Sequence, residues 1–193
     1  MRQEELPPNQ RTDERATLRN PRGSFFETRY WLRDLILATL LAFVVIVFLY
    51  QPVQVEGTSM APRIGNRERI FINKFVYRFE PIRRGDIVVF RYPLDPSKSY
   101  IKRVIGLPGE QVSFRDGHVL VDGVILSEPY LSARYLDSQD YPPVNVEPDH
   151  YYVLGDHRDS SSDSRVWGTV ARTHIYGKAV LVYWPFSEFG FLK

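Results

Sequence analysis

The chain contains no cysteine among its 193 residues. Disulfides, thiolate nucleophiles and cysteine-based metal sites are therefore excluded, and a location outside the cytosol would need no oxidation chemistry. The chain also lacks a strong charge of either sign, because 25 lysines and arginines face 23 aspartates and glutamates and leave a net charge of +2. This balance does not favour nucleic acid as a partner.

Histidines with metal-binding spacing are missing as well. The four histidines are His118, His150, His157 and His174, and none forms a pattern such as H-E-x-x-H. A histidine-based metal site therefore has little support.

One long apolar run stands near the N-terminus, 35-LILATLLAFVVIVFLY-50. At 1.5 Å per residue it spans roughly 24 Å, less than the ~30 Å hydrocarbon core of a bilayer, but apolar and aromatic residues on both sides extend it. A cleaved signal peptide is the alternative, yet residues 51–55 offer no small-x-small cleavage site. We interpret residues 30–53 as a single transmembrane signal anchor.

The arginines around this anchor predict its orientation. Residues 15–34 hold five arginines and residues 51–70 hold three, which favours a cytoplasmic N-terminus. Residues 1–29 are polar and mixed in charge, so we expect a disordered cytoplasmic tail. Residues 54–193 then form an extracytoplasmic domain.

This outer domain is predicted to be mainly β, an antiparallel sheet or barrel-like arrangement without long helical periodicity. Asp116-Gly117 and Asp122-Gly123 are typical of tight hairpin turns, in which glycine adopts a positive φ. The proline-containing segment 127–149 is interpreted as a long surface excursion. The predicted strands, which alternate or run apolar, are 69–77, 86–92, 99–106, 110–115, 118–123, 151–156 and 174–184.

A serine follows the anchor closely, in 56-EGTSMAP-62. Alone, this turn is typical of a linker, and Ser59 could attack a substrate only with a base beside it. His118 follows a hairpin glycine and His157 lies in a polar loop, where turn structure explains each of them equally well.

Lys102 is the other candidate base, within 99-SYIKRVIG-106. By alternation it shares a strand face with Tyr100 and Val104, which surrounds the amine with apolar groups. An edge-strand lysine that discourages aggregation is the alternative for this segment taken alone. In 155-GDHRDSSSDSRVWG-168, serine hydroxyls could aim a neutral lysine amine without favouring its charged form, although a polar loop built on turns explains much of the same composition.

The three segments together resemble the type I signal peptidases, the leader peptidases of bacteria and thylakoids. The ordered motifs are G-x-S-M-x-P after the anchor, Y-I-K-R-V-I-G-L-P-G-E, and G-D-x-R-x-x-S-x-D-S-R-x-W-G, and the resemblance covers about residues 30–185. It implies a serine/lysine endopeptidase that removes signal peptides from exported preproteins after small residues at −1 and −3. It implies no metal or cofactor.

The resemblance also implies roles for individual residues. Ser59 matches the nucleophile, Lys102 the general base, and Ser161 the hydroxyl that orients the lysine, while Asp163 and Arg165 match a supporting pair. The positions that match the substrate-binding surface are Val55, Met60, Ile64, Tyr100 and Ile101.

The sequence departs from the family pattern at two positions. Gly57 stands where some members have a serine that completes the oxyanion hole, so we expect a backbone N–H as the second donor. His157 replaces an asparagine, which we interpret as a tolerated structural change.

We expect a monomer, anchored in a plasma or thylakoid membrane, with preproteins and the lipid bilayer as its partners. Another Ser/Lys hydrolase, such as a self-cleaving repressor-type protease, is disfavoured by the anchor and the aromatic content. The alternative from a different class is a membrane-anchored, non-catalytic β module that binds peptides or an envelope partner.

Overall fold

A computed structural model describes residues 22–192 of the protein, so residues 1–21 of the predicted tail lie outside the described residues. Its first element is the helix α1 (Arg22–Leu49), which includes residues 22–29 of the segment predicted to be disordered. The part of α1 from Arg29 to Leu49 is 21 residues long and apolar enough to cross a membrane. At 1.5 Å per residue this part spans about 32 Å, which matches the hydrocarbon thickness of a bilayer.

The helix α1 ends at Leu49, four residues before the predicted end of the anchor at residue 53. Residues 50–53 instead belong to the strand β1 (Tyr50–Gln54), which pairs antiparallel with β2 (Arg69–Asn73). Pro52 is compatible with β1 because this strand lies at the edge of its sheet, where one missing donor is tolerated. A second compact unit accordingly begins at Val45 and contains all the strands of the described residues.

A large antiparallel sheet forms most of this second unit. Besides β1 and β2, its strands are β3 (Ile87–Tyr92), β4 (Asp95–Gly106), β9 (His150–Leu154), β10 (Val170–Ala171), β11 (Ile175–Trp184) and β12 (Gly190–Phe191). Their order in the sheet is β1-β2-β11-β3-β4-β9-β10, and β12 pairs with β11. The prediction of a mainly β fold behind one N-terminal helix is confirmed.

A smaller sheet contains β5 (Gln111–Arg115), β6 (His118–Val121), β7 (Val124–Ile125) and β8 (Val144–Asn145). The order of these strands is β7-β6-β5-β8. The two predicted hairpin turns join its strands, with φ of 49° and 76° at Asp116 and Gly117 and of 49° and 78° at Asp122 and Gly123. Positive φ at both central residues is the geometry that these sequences predict.

The predicted strand 69–77 is too long by four residues. The Asn73 side chain accepts hydrogen bonds from the N–H groups of Phe75 and Val76, at 2.9 and 3.0 Å. This local pairing replaces the strand ladder, and the chain continues into the short helix α2 (Val76–Phe79).

A buried ion pair joins two adjacent strands of the large sheet close to Lys102. Arg103 on β4 and Asp156, just after β9, are 1% and 0% exposed, and their side chains form a bidentate pair at 2.9 and 2.7 Å. The same strands pair in the register Arg103↔Leu154. Bidentate geometry orients both groups, so the residues around 102 and 155 are held at a defined separation.

Candidate active site

Ser59 lies in a tight turn that follows β1. The Ala61 N–H donates to the Thr58 carbonyl at 2.9 Å, so Ser59 and Met60 occupy the centre of the turn. Gly57 has φ of 95°, and a Cβ there would meet nothing within 4 Å, so the backbone angle and not space favours glycine. The Gly57 N–H donates to Asn66 Oδ1 at 3.0 Å and is therefore already engaged.

The side chain of Lys102, on β4, contacts this turn. Its Nζ lies 2.7 Å from Ser59 Oγ, although 43 residues separate the two along the chain. Lys102 pairs with Val88 on β3, and its side chain is only 4% exposed. The amine lies 5.6 Å from the ring centroid of Tyr100, whose position on the same face follows the predicted alternation.

The surroundings of Lys102 disfavour its charged form. Burial lowers the pKa of the Lys102 amine from 10.5 to about 8, while the nearby charges of Asp163 and Asp156 oppose this shift and that of Arg165 adds to it. With a pKa of 10.5, roughly one amine in 300 would be neutral at pH 8. With a pKa of about 8, about half are neutral, so the group can accept a proton.

Replacing Lys102 by methionine should stabilise the protein at neutral pH. Below about pH 8 the buried amine is charged in the folded state, and the lowered pKa corresponds to a cost of about 3 kcal/mol. Loss of the hydrogen bond to Ser59 offsets about 1 kcal/mol of the gain. Because the unfolded state binds more protons between about pH 8 and 10.5, wild-type stability should rise over that interval. The advantage of Lys102→Met should therefore shrink as the pH increases.

The measurement is the melting temperature of both proteins in detergent at pH 7 and pH 10. A methionine variant that melts lower than wild type at pH 7 would contradict the pKa argument.

The loop after β9 is held by the predicted supporting pair. Arg165 donates to both oxygens of Asp163 at 2.8 Å, and Asp163 is fully buried. Asp163 also accepts from the Gly155 N–H at 3.1 Å and caps the short helix α3 (Ser164–Trp167). These contacts fix the loop against the end of β9, beside the Ser59 turn.

Ser161 lies in the same loop, but its predicted partner is not among its contacts. Its Oγ is buried and has no hydrogen-bond partner within residues 29–192. A Cβ added at Gly155 would overlap Ser161 Oγ and the Ser59 carbonyl, so glycine allows the two segments to approach closely. The lysine-orienting role of Ser161 stays a prediction.

A groove of about 770 Å³ runs along one side of Ser59 and Lys102. Its walls come from residues 53–59 and from residues 98–102 on β4, and Ile70, Ile72 and Tyr176 also line it. Val55, Tyr100 and Ile101, which were predicted to bind substrate, are among the lining residues.

Met60 and Ile64 occupy a different position. They are 1% and 0% exposed and belong to the buried cluster that also contains Val55. Because both side chains are apolar and turned into the core, they support the groove from within the domain, and direct contact with substrate stays a prediction.

The structure adds charged residues that the sequence did not reveal. Two of them come from the surface excursion, where Asp137 pairs with Arg165 at 2.8 Å and Glu128 forms a two-contact pair with Arg158. Both arginines have side chains less than 5% exposed. Their partners lie about 30 residues away in an irregular segment, and sequence patterns do not predict such pairing.

His157 also contacts the Ser59 turn. The backbone N–H of His157 donates to the Ser59 carbonyl at 3.1 Å, and its ring Nδ1 lies 3.2 Å from the Thr58 carbonyl oxygen. In the sequence, the only sign of this ring contact was that His157 replaces the asparagine of the family motif.

Comparison with known proteins identifies relatives over most of the chain. The family described as signal peptidase, peptidase S26, matches residues 28–184. Signal peptidase I of Bacillus licheniformis is 37% identical over 92% of this chain and 97% of its own length. Signal peptidase I T of Bacillus subtilis is 36% identical over 92% and 94%.

Two further relatives extend this range. A probable signal peptidase I-2 of Synechocystis is 37% identical over 84% of this chain and 77% of its own length. The crystal structure of a signal peptidase I from Enterococcus faecalis matches with a TM-score of 0.47 and 35% identity, over 51% of this chain and 97% of that chain.

Proposed function

Because the chain belongs to the signal peptidase family, peptidase S26, and is a serine peptidase that removes signal peptides, we propose that Ser59 and Lys102 are its catalytic dyad. The observation that carries this proposal is the 2.7 Å contact between Ser59 Oγ and a buried lysine amine. A hydroxyl becomes a useful nucleophile at neutral pH when a base accepts its proton. The lowered pKa of Lys102 supplies such a base.

In this mechanism the neutral amine of Lys102 takes the proton of Ser59 as Oγ attacks the scissile carbonyl carbon. The resulting ammonium gives a proton to the leaving amine, and an acyl-enzyme remains on Ser59. The leaving amine is the new N-terminus of the mature protein, which departs at this step. Neutral Lys102 then activates a water molecule, which hydrolyses the ester and releases the signal peptide with a free carboxyl group, regenerating Ser59. One residue thus acts as base and acid in turn.

The oxyanion that forms during attack needs hydrogen-bond donors. We assign this role to main-chain N–H groups at the centre of the Ser59 turn. Gly57 has no side chain to contribute, and its own N–H already donates to Asn66.

The groove gives the substrate a place to add as an extended strand. On β4 it is lined by residues 98–102, whereas from Arg103 onward the strand pairs with β9. A peptide bound beside residues 98–101 and 53–56 would form main-chain hydrogen bonds that do not depend on its sequence.

Selectivity would come from the groove walls near the dyad. Val55 and Ile101 line the groove. Val55 belongs to a buried core cluster and Ile101 packs against it. Because a packed core does not deform easily, the groove has no room for large substrate side chains at this point. This supports small residues at −1 and −3 of the cleavage site.

We assign the apolar part of α1, Arg29–Leu49, as the membrane anchor, with residues 1–28 in the cytoplasm and residues 50–193 on the outer or lumenal side of a plasma or thylakoid membrane. The arginine excess before the anchor supports this orientation. The protein would act as a monomer on preproteins held in the same bilayer.

The C-terminal aromatic residues provide a test of membrane contact. The side chains of Trp184, Phe186, Phe189 and Phe191 are 47%, 76%, 58% and 69% exposed. Because aromatic side chains are favourable at membrane interfaces, replacing Phe189 and Phe191 by serine should slow cleavage of a membrane-embedded preprotein about tenfold. Cleavage of a short soluble peptide should change less than twofold.

The matched control is serine at Val124 and Ile125, an exposed apolar pair in the small sheet. Equal losses on both substrates, or equal losses from the control, would contradict membrane contact by the C-terminal aromatics.

The proposed function is tested with the detergent-solubilised full chain and one preprotein. Sequencing of the new N-terminus should reveal cleavage after a small residue that has another small residue two positions before it. Absence of cleavage, or cleavage after large residues, would contradict the proposal.

A further inference from the structure

His157 contacts the nucleophile turn through both its backbone and its side chain. The His157 N–H donates to the Ser59 carbonyl at 3.1 Å, and ring Nδ1 lies 3.2 Å from the carbonyl oxygen of Thr58. A carbonyl oxygen only accepts, so this contact is a hydrogen bond in the ring forms that carry a proton on Nδ1, which are the Nδ1–H tautomer and the doubly protonated ring.

These two contacts restrain the peptide groups on both sides of Ser59. The Thr58 carbonyl shares a planar peptide with the Ser59 N–H, and the Ser59 carbonyl shares one with the Met60 N–H. Because a trans peptide is rigid, fixing each carbonyl fixes the direction of the N–H opposite to it. His157 thereby controls the orientation of the turn that presents Ser59 Oγ and the main-chain donors.

The His157 ring has two further neighbours. Its Nε2 lies 3.0 Å from Asp159 Oδ1, which accepts a hydrogen bond only when Nε2 also carries a proton. The ring of Tyr135 packs against it edge to face with centroids 4.4 Å apart. Tyr135 belongs to the excursion, and Asp137 of the excursion pairs with Arg165 of the loop after β9. The excursion therefore also contributes to the placement of the His157 ring.

We propose that His157 is a positioning residue, which holds the Ser59 turn in place through a hydrogen bond from Nδ1–H to the Thr58 carbonyl. The ring of Tyr135 packs against the His157 ring and keeps it in position. This inference rests on the proposed function, because it assumes that Ser59 is the nucleophile. The ring takes no part in proton transfer, since the base beside Ser59 Oγ is Lys102.

Two substitutions of similar size separate the hydrogen bond from simple packing. His157→Asn keeps an N–H donor at about the position of Nδ1, whereas His157→Leu fills similar space without a donor. A misplaced nucleophile lowers the rate after binding, and a displacement of about 1 Å can cost 10²-fold. The groove residues 53–56 and 98–101 are unaffected, so substrate binding should change little.

The experiment measures kcat and KM for a peptide substrate with the full-length protein in detergent. We expect His157→Leu to lower kcat about 10- to 100-fold with KM within twofold of wild type, and His157→Asn to restore kcat to within about threefold. The pH at which activity rises should be the same in all three proteins, because Lys102 keeps its surroundings. His118→Leu, on an exposed hairpin, is the matched control and should behave as wild type.

Tyr135 gives an independent arm of the test. Tyr135→Leu should lower kcat in the wild-type background and have little further effect in His157→Leu, because both changes act through one contact. Equal loss in His157→Asn and His157→Leu, a loss confined to KM, additive effects with Tyr135→Leu, or disappearance of the pH limb would each overturn the proposal. Wild-type activity that depends on Ser59 shows that the proposed function holds even if the positioning proposal fails.

Discussion

A Lys102→Arg protein is expected to lose at least about 10⁴-fold in kcat/KM while keeping its fold. Arginine retains the positive charge and a long side chain, but the guanidinium does not deprotonate in proteins. It therefore cannot accept the Ser59 proton, and general-base catalysis alone is worth about 10²- to 10⁴-fold. The larger guanidinium also displaces the 2.7 Å contact to Ser59 Oγ, which adds to the loss.

The control for this substitution is Lys178→Arg. Lys178 lies on β11 and pairs with Asp86 at 2.6 Å, and arginine can keep that ion pair. Circular dichroism and melting curves should show both variants folded, with activity lost only in Lys102→Arg. An active Lys102→Arg protein would contradict the assignment of the base.

Ser59→Ala is expected to abolish cleavage, with a fall in kcat of about 10⁶-fold. Removing the nucleophile of a serine peptidase costs about as much as removing the whole catalytic set, because its members act as a unit. The double variant with Lys102→Met should consequently be no less active than Ser59→Ala alone. The assay is cleavage of a preprotein under conditions that detect about one part in 10⁷ of wild-type activity, because both variants are expected near one part in about 10⁶.

Binding distinguishes this account from an anchored, non-catalytic module. Ser59→Ala should bind the preprotein with an affinity within about threefold of wild type, since the groove walls are unchanged. Ser113→Ala on β5 is the matched control and should cleave normally. A Ser59→Ala protein that retains cleavage, or a wild-type protein that binds but never cleaves, would favour the module.

Local sequence patterns predicted the elements whose geometry depends on near neighbours. The Asp-Gly pairs at 116 and 122 specify their turns through backbone angles alone. The alternation around Lys102 likewise placed Tyr100 beside the amine. The end of β2 was missed because one side chain, Asn73, captures two N–H groups that a strand would have used.

Several contacts of the candidate site join residues that are far apart in the sequence, and local sequence patterns did not predict them. The Arg103–Asp156 pair and the Asp137–Arg165 pair join residues far apart in sequence, and no periodicity relates them. The contact of His157 with the Ser59 turn depends on how β9 lies beside β4, which sequence does not specify. The motifs predicted which residues form the candidate site, while the sheet determines how they meet.

The most direct test of the Ser/Lys account is the dependence of kcat/KM on pH, which reports the base of the free enzyme. Because burial lowers the pKa of Lys102 to about 8, kcat/KM should rise through one ionisation near pH 8 and then level off, well below the usual range of lysine. The same limb should be present in His157→Asn. A limb near pH 6.5, the ordinary range of histidine, that disappears in His157→Asn would contradict the assignment of Lys102 as the base.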